Sequence, residues 1–275
     1  MKLKLKEIKA KNIVVKSNLP GISYVVNPYV GCQYGCVYCY ADFLRRWTGH
    51  GKDSWGKFVD VKVNALDLIE GHAQNYGGKK ILFSSVTDPY QPIERRYKLT
   101  RQLLEKLADC SPQPAIEILT KSDLITRDID TLRRFEECNV GFSLCTLDDT
   151  IRQVLEPAAP PIAKRINALK NIHEADIETY VFISPIMPYL TVIRPMVMEL
   201  KQYADFFMFE NLNVQPNLWS RIRIALKEID ETFVSKYQDI YFNKEGKKEF
   251  WKPIEIDIHT LCAKNGLEPL IFFHY

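Results

Sequence analysis

Short apolar runs, rich in β-branched and aromatic residues, recur along most of the chain, and amphipathic segments separate them. Each run has the length of a typical strand, and its nearly continuous apolar character is what a strand buried on both faces requires. The six runs therefore predict strands at residues 22–26, 81–86, 115–120, 140–146, 179–183 and 206–210.

The segments between the runs carry apolar residues three and four positions apart, which places them on one face of a helix. The second of these helices is expected to begin at Thr126 or Asp128, because both residue types cap helix N-termini. The inward positions of three helices are Leu99, Leu103 and Leu107, then Ile129, Leu132 and Phe135, then Ile162, Ile166 and Leu169. Strands that alternate with helices form βαβ units, so we predict an α/β fold with a parallel sheet.

Polar or cysteine-containing segments follow the predicted strands, or end them, at residues 32–39, 85–90, 120–122, 143–146, 184–188 and 211–213. The carboxyl ends of parallel strands meet at one edge, where barrels and open α/β sheets hold their chemistry. We therefore expect all of these segments to surround one mouth.

The pattern changes after Gln215 to a helix-prone tract with Trp219, Leu226, Ile229 and Phe233, and a strand-like run follows at residues 269–273. We predict an N-terminal extension (1–20), a core barrel (21–214) and a C-terminal appendage (215–275). The appendage is expected to cover the opening or the side of the barrel.

The composition is that of an ordinary folded protein, with 46% hydrophobic and 26% charged residues in a chain of 275. A net charge of +3 permits anionic partners without requiring them. The lysine alternation at the start lacks the apolar core of a signal peptide, and no apolar stretch is long enough to span a membrane. We expect a cytoplasmic protein with no membrane partner.

Three of the seven cysteines, Cys32, Cys36 and Cys39, lie within eight residues, beside Gly31 and Gly35. An odd number of cysteines argues against a secreted disulfide framework, and thiolates suit iron–sulfur clusters or zinc. Three thiolates leave one iron of a four-iron cluster open, whereas a structural zinc site needs a fourth ligand. A zinc site completed by a distant Cys or His, and a chance grouping of buried cysteines, stay open as alternatives.

Aromatic Tyr38 precedes the last of these cysteines, and other motifs surround the triplet. These are Asn27 to Cys32, Thr87 to Glu94, Leu99 to Arg101, Thr120 to Ser122, Arg127 and Asp128, and Leu155 to Pro157. Together they resemble the radical S-adenosylmethionine (SAM) superfamily, in its spore photoproduct lyase-like branch, often labelled DNA repair photolyases. The resemblance runs from about residue 24 to residue 185. It implies a partial (β/α)6 barrel of the TIM type.

The resemblance also implies a lyase-like radical SAM enzyme with a [4Fe-4S] cluster held by Cys32, Cys36 and Cys39. The open iron would take the amino and carboxylate groups of SAM. One electron, from an external donor such as flavodoxin or ferredoxin, would then give methionine and a 5′-deoxyadenosyl radical. That radical would abstract hydrogen from a substrate, while the protein positions the cofactor and excludes water.

Further site residues follow from the same resemblance. Thr87 and Asp88 would contact SAM, Lys121 its carboxylate and Ser143 its ribose, and Tyr38 would pack against the adenine or the cluster. A lysine is a compact cation suited to a carboxylate, and a hydroxyl can bond ribose oxygens. The alternatives are a solvated lysine in a turn, a hydroxyl satisfied by the backbone, and an aromatic ring that fills the core.

The chain departs from the lyase pattern at residues 84–88, Ser-Ser-Val-Thr-Asp, where lyases proper carry a hydrogen-donating cysteine. This departure argues against thymine-dimer reversal. Cys145 points to the same side of its predicted strand as Ser143, which makes it a candidate substitute hydrogen donor. The alternative is a small buried hydrophobe. Glu156 and Arg165 are expected to form a structural salt bridge.

Basic and aromatic residues also follow two of the mouth segments. Arg45, Arg46 and Trp47 follow the cysteines, and Arg95 and Arg96 come soon after Asp88. Such residues can hold a phosphate backbone and stack a base, so nucleic acid is a candidate partner, although charge runs are often only solvated faces. The rival hypotheses are a radical SAM enzyme that modifies a peptide or small metabolite, and a nucleic-acid-binding protein with a structural zinc or iron–sulfur site.

Overall fold

The computed structural model describes residues 3–243 and 245–275. The strands in these residues are β1 (Lys4–Ile8), β2 (Val14–Lys16), β3 (Tyr24–Val26), β4 (Tyr29–Val30), β5 (Phe58–Lys62), β6 (Lys80–Phe83), β7 (Ala115–Thr120), β8 (Cys138–Leu144), β9 (Glu178–Ile186), β10 (Phe206–Asn211) and β11 (Pro269–Phe272). The α-helices are α1 (Leu44–Trp47), α2 (Ala65–Glu70), α3 (Glu94–Tyr97), α4 (Leu99–Ala108), α5 (Ile129–Leu132), α6 (Asp149–Leu155), α7 (Ile162–His173), α8 (Ile193–Leu200), α9 (Pro216–Ile229), α10 (Thr232–Phe242) and α11 (Gly246–Ala263).

The main sheet has the strand order β11-β10-β9-β8-β7-β6-β3-β2. Its six central strands, β3 and β6 to β10, are those that the sequence predicts, and each pairs in parallel with its neighbours in the series. Helices connect them on the outside, as parallel pairing requires. The predicted α/β partial barrel is therefore confirmed, and among the described strands the two edges of the sheet stay unjoined.

Several strand ends differ from their predicted positions. The strand predicted at 81–86 stops at Phe83, because Ser84 takes a left-handed conformation with φ 66° that ends the ladder. The strand predicted at 140–146 begins earlier, at Cys138, and ends at Leu144. Cys145 therefore lies just beyond the strand, and Cys138 is the strand's first residue.

The helices follow the predicted faces, with one different beginning. Helices α4 and α7 bury their predicted apolar positions, except that Ile166 is half-buried. The segment expected to begin at Thr126 or Asp128 instead begins as a 3₁₀ helix, Asp123–Asp128. The hydroxyl of Ser122 caps it by accepting the N–H of Leu124 at 3.2 Å. The side chain of Asp128 makes no cap and binds arginines instead.

A small second sheet supports the mouth, and the sequence pattern did not predict it. Strand β5 lies between β1, which is parallel to it, and β4, which is antiparallel. Because β4 leads directly into the cysteine loop, β5 lies beneath that loop. Part of the predicted extension 1–20 thus belongs to sheets, since β2 also pairs with β3.

The C-terminal region packs on the core. Helix α9 buries Leu218, Ile222 and Leu226 in one apolar cluster with Cys145 and Leu155. The last strand, β11, pairs in parallel with β10 and so extends the main sheet. The domain boundaries at residues 20 and 214 remain predictions. Within the described residues no helix combines the length and apolarity that crossing a membrane needs.

Candidate active site

The three clustered cysteines lie in the loop between β4 and the 3₁₀ helix Tyr40–Phe43, for which Cys39 is the N-cap. Cys32 and Cys36 are buried and Cys39 is half-buried, and all three are free thiols. The loop follows β3 by way of the short strand β4, and β3 pairs in parallel with β6. The loop therefore stands at the carboxyl end of the main sheet, which is the predicted mouth.

Glycines let this loop lie directly against β5 and the turn before it. Gly31 has φ +85°, and a Cβ on it would meet the carbonyl oxygen of Phe58 at 2.5 Å. Gly35 has φ +63° and faces Gly56, whose own Cβ would come within 2.7 Å of the Gly35 Cα. Only glycine fits these close backbone approaches, so the sequence beside the cysteines is set by the packing under them.

Two glutamines fix the loop from the β6 side. The backbone N–H of Gln33 donates to Gln91 Oε1 at 2.9 Å, and Gln33 Oε1 accepts the N–H of Ile93 at 2.7 Å. The carbonyl of Gly31 accepts from Gln91 Nε2 at 3.2 Å and from the hydroxyl of Thr87 at 2.6 Å. Sequence reasoning gave no role to either glutamine. In the structure Thr87 holds the loop backbone, and its contact with SAM stays a prediction.

The segment around Glu156 fixes the loop from the β8 side. The N–H of Val37 donates to the carbonyl of Leu155 at 2.9 Å, and the N–H of Ala158 donates to that of Tyr34 at 3.3 Å. The cysteine loop is therefore held between the ends of β6 and β8.

A buried charged group lies beside this loop, and it unites four of the predicted residues. Lys121 Nζ donates to Ser143 Oγ at 2.5 Å and lies 3.5 Å from Glu156 Oε1. The hydroxyl of Tyr38 donates to the same carboxylate oxygen, and Cys145 Sγ lies 3.5 Å from it. The structure thus brings Tyr38, Lys121, Ser143 and Cys145 together around Glu156.

The predicted salt bridge between Glu156 and Arg165 is confirmed, with 2.5 Å between Oε2 and Nη2 and both side chains fully buried. Burial alone would raise the pKa of Glu156, but Arg165 and Lys121 lower it to about 2. Burial lowers the pKa of Lys121, and the negative Glu156 reverses this effect so that the net shift is upward. Both groups are therefore charged at neutral pH, and Lys121 is a buried cation rather than a solvated one.

Asp88 is fixed by protein donors on both carboxylate oxygens. Its Oδ1 accepts from the N–H of Tyr90 at 2.9 Å and from the hydroxyl of Thr120 at 2.7 Å, and its Oδ2 accepts the N–H of Lys121 at 2.8 Å. These bonds join the ends of β6 and β7 and aim the Lys121 backbone. The predicted contact between Asp88 and SAM therefore stays a prediction.

A second buried network explains motifs that had no predicted role. Glu94 is fully buried and binds Arg127 at 3.0 Å, the N–H of Thr100 at 3.1 Å and the hydroxyl of Tyr29. Asp128, also fully buried, binds Arg127 as well. This network joins helices α3, α4 and α5 to β4, just ahead of the cysteines.

The cysteine thiols fit an iron–sulfur cluster in their chemistry. Burial, together with the negative charges around them, raises the pKa of Cys32 well above its ordinary value and that of Cys36 to about 12. Burial also raises the pKa of Cys39. Such thiols become thiolates only beside a positive metal centre.

The zinc alternative finds no ligand set in the described parts of the chain. No three His, Cys, Asp or Glu side chains there are placed to hold a single metal ion. A four-iron cluster has no such requirement, because its three thiolates bind three different irons.

The basic residues near the mouth divide into two kinds. Arg45 is used within the fold, where it binds Asp42 at 3.2 Å and the carbonyl of Gly51 at 3.1 Å. Arg46 is exposed, and Trp47 beside it is 81% exposed. Arg95 and Arg96 are exposed on α3.

Sequence reasoning also missed a buried histidine near the loop. His50 lies between Asp53, at 2.7 Å, and Asp60, at 3.2 Å, and its ring stacks on Phe58 with 4.0 Å between centroids. Phe58 is the residue under Gly31, so this group supports the cysteine loop from below. All of these residues lie within positions 50–60, but their spacing follows neither a helix nor a strand period, so the sequence pattern did not mark them.

The comparisons with known proteins agree with this fold and define its family. The Radical SAM superfamily model matches residues 26–199, which include the cysteine loop, Lys121, Ser143 and Glu156. An uncharacterized protein of Methanocaldococcus jannaschii is 37% identical over 265 residues, 96% of this chain and 95% of the relative. A Pseudomonas phage M6 protein named radical SAM Nalpha-GlyT isomerase is 27% identical over 89% of this chain and 51% of its own length.

Among solved structures, a spore photoproduct lyase mutant with bound AdoMet and dinucleoside spore photoproduct matches with a TM-score of 0.73. The identity is 16%, over 98% of this chain and 82% of that one, which shows a shared fold. The chain belongs to the radical SAM superfamily. Within it the fold is that of spore photoproduct lyase, and the chain is a radical SAM enzyme whose cofactors are a [4Fe-4S] cluster and SAM.

Proposed function

We propose that this radical SAM enzyme abstracts a hydrogen atom from a nucleic-acid base, with Cys32, Cys36 and Cys39 as the cluster ligands. The observation that carries the proposal is the position of exposed Trp47 and Arg46 on α1, the helix that follows the cysteine loop. An aromatic face and a cation at the edge of a reaction site are the groups that bind a base and its phosphate.

When bound, the cluster supplies the electron that converts SAM to methionine and a 5′-deoxyadenosyl radical. The chain's residues hold SAM in place. In this proposal Lys121 binds the SAM carboxylate. Its cation is largely shielded from solvent, and its contact with Ser143 is neutral and leaves its charge available to a second anion. In the same proposal Ser143 binds the ribose, Tyr38 packs against the adenine or the cluster, and Thr87 and Asp88 contact SAM.

Cys145 is the proposed hydrogen donor to the product radical: its S–H bond would break as the product C–H bond forms, and one electron from the external donor together with one proton would return the thiyl radical to the thiol. Burial raises its pKa well above the ordinary value, with a further upward contribution from Glu156. The side chain therefore keeps its S–H bond at neutral pH, and hydrogen-atom transfer requires that bond. The thiol is fully buried and lies 3.5 Å from Glu156 Oε1.

One of the compared proteins supports the nucleic-acid substrate class. The solved lyase structure holds a dinucleoside, and its fold matches nearly the whole of this chain. The absence of a thiol in residues 84–88 argues that any base chemistry here differs from thymine-dimer reversal.

The test is anaerobic reconstitution with iron and sulfide, followed by reduction with SAM in the presence of thymine-containing single-stranded DNA. We expect the yield of 5′-deoxyadenosine to rise with the concentration of DNA. The 5′-deoxyadenosine should also acquire deuterium when the bases of the DNA are deuterated. The matched control is Cys36→Ala, which should yield none, while Cys110→Ala should resemble the wild type. Equal yield with a peptide mixture and no deuterium transfer from DNA would instead favour a peptide or small-metabolite substrate.

A further inference from the structure

Arg221, on helix α9 of the C-terminal region, lies beside the cysteine loop although it is far from it in sequence. Its Nη1 donates to Asp42 Oδ1 at 3.1 Å. Asp42 lies in the 3₁₀ helix that begins after Cys39, and its N–H donates to the Cys39 carbonyl at 3.3 Å. Arg221 is thus one hydrogen-bonded turn from a proposed cluster ligand.

The charges beside Cys39 do not cancel, because two guanidinium groups share one carboxylate. Asp42 is shared by two cations, since Arg45 Nη1 also binds its Oδ1 at 3.2 Å. One carboxylate cannot neutralise two guanidinium groups, so one positive charge remains beside Cys39. Burial lowers the pKa of Arg221, and Asp42 and Cys39 counteract that effect; a guanidinium keeps its charge in proteins.

Two nitrogen atoms of Arg221, Nε and Nη2, are closed to solvent and have no hydrogen-bond partner within the described residues. A buried donor without an acceptor costs about 1–3 kcal/mol, and more when it is charged. Because these two atoms are closed to solvent, an acceptor within the protein would satisfy them better than a phosphate that arrives from outside. An anionic acceptor beside Cys39 would also balance the remaining positive charge.

We propose that the guanidinium of Arg221 donates hydrogen bonds to the sulfur atoms of the cluster held by Cys32, Cys36 and Cys39. These hydrogen bonds and the positive charge make the cluster easier to reduce. A four-iron cluster with three thiolates is an anion, and reduction increases its negative charge. Charge and hydrogen bonds at the sulfur atoms are the means by which a protein sets the cluster potential. The inference rests on the proposed cluster ligands and is independent of the substrate.

The experiment compares Arg221→Gln, which removes the charge, with Arg221→Lys, which keeps it. Arg223→Gln is the matched control, because Arg223 is an exposed arginine on the same helix. Each protein is reconstituted, its iron content is measured, and the reduced cluster is followed by electron paramagnetic resonance during a redox titration without SAM. For Arg221→Gln we expect about a tenfold lower ratio of reduced to oxidised cluster at a fixed potential, equal to 59 mV for one electron.

Arg221→Lys should recover part of this shift, and Arg223→Gln should leave the potential unchanged. An unchanged potential in Arg221→Gln, with normal iron content and circular dichroism, would overturn the inference. An equal shift in Arg223→Gln would overturn it as well, because the effect would then be one of overall charge. Failure of the wild type to assemble a cluster would refute the proposed ligands, which is a distinguishable result.

Discussion

At the scale of single residues, Glu156 organises the site. Its carboxylate lies among Lys121, Arg165, Tyr38 and Cys145, and it is fully buried. Two cations lower its pKa to about 2 against the cost of burial. A neutral residue here would leave Arg165 buried without its counter-charge, which is the costly way to break an ion pair.

We expect Glu156→Gln to reduce the free energy of unfolding by about 3–5 kcal/mol. Folding lowers the pKa of Glu156 from its ordinary value of 4.5 to about 2. The charged carboxylate therefore stabilises the fold fully above pH 4.5, and this stabilisation is lost as the pH falls towards about 2. The variant should lack that part of the acid dependence. Urea unfolding at a series of acidic pH values measures it. The control is Glu174→Gln, whose carboxylate is exposed and 3.7 Å from Lys170; equal slopes in both variants would contradict the assignment.

At the scale of elements, the cysteine loop depends on its neighbours. Strand β5 lies beneath it, the segment that begins at Thr87 holds it from one side, and the segment after α6 holds it from the other. Most of these contacts use backbone atoms of the loop, so the loop conformation is set before any cofactor binds. The positive φ of Gly31 is one condition of this arrangement.

We expect Gly31→Ala to destabilise the protein by about 1–3 kcal/mol more than Gly49→Ala and to reduce the iron bound after reconstitution. Both glycines have positive φ, +85° and +79°, so both variants carry similar backbone strain. Only at Gly31 would the new methyl meet an atom, the Phe58 oxygen at 2.5 Å. Thermal unfolding and iron analysis measure the difference, and similar losses in the two variants would show that packing on β5 is unimportant.

At the scale of the whole molecule, one edge of the sheet gathers the chemistry. The cysteine loop, Lys121, Ser143 and Cys145 come from the ends of different strands, and α9 closes over them. The exposed Trp47 and Arg46 extend this edge outward. Nucleic acid bound there would lie next to the proposed cluster.

We expect Trp47→Ala to weaken binding of single-stranded DNA by about 1–3 kcal/mol, the worth of one stacked base. Arg46→Ala should reduce the slope of log affinity against log salt by about 0.7, the loss of one phosphate contact. Fluorescence anisotropy at several salt concentrations measures both. Arg133→Ala is the control, because Arg133 is exposed between α5 and the start of β8, at the opposite end of the sheet. DNA affinity unaffected by all three changes would remove the proposed interface.

The six parallel strands could be read from the amino-acid sequence alone, because each is a short apolar run and buried parallel strands need no other signal. The sequence also indicated which residues share the mouth. Tyr38, Lys121, Ser143 and Cys145 meet around Glu156 as strand-end residues should. The cysteine triplet is local, so its spacing is visible along the chain.

Which distant groups complete these sites became visible only in the folded protein. Arg221 and Asp42 are 179 positions apart. Separate segments are also joined by the hydrogen bond between Gln33 and Gln91 and by the contact between β5 and the cysteine loop. Hydrogen bonds and close backbone contacts of this kind leave no periodicity in the sequence, because they depend on how whole elements pack. The strand-like run at residues 269–273 is visible in the sequence and forms β11, but its parallel pairing with β10 is not visible, since β10 lies far earlier in the chain.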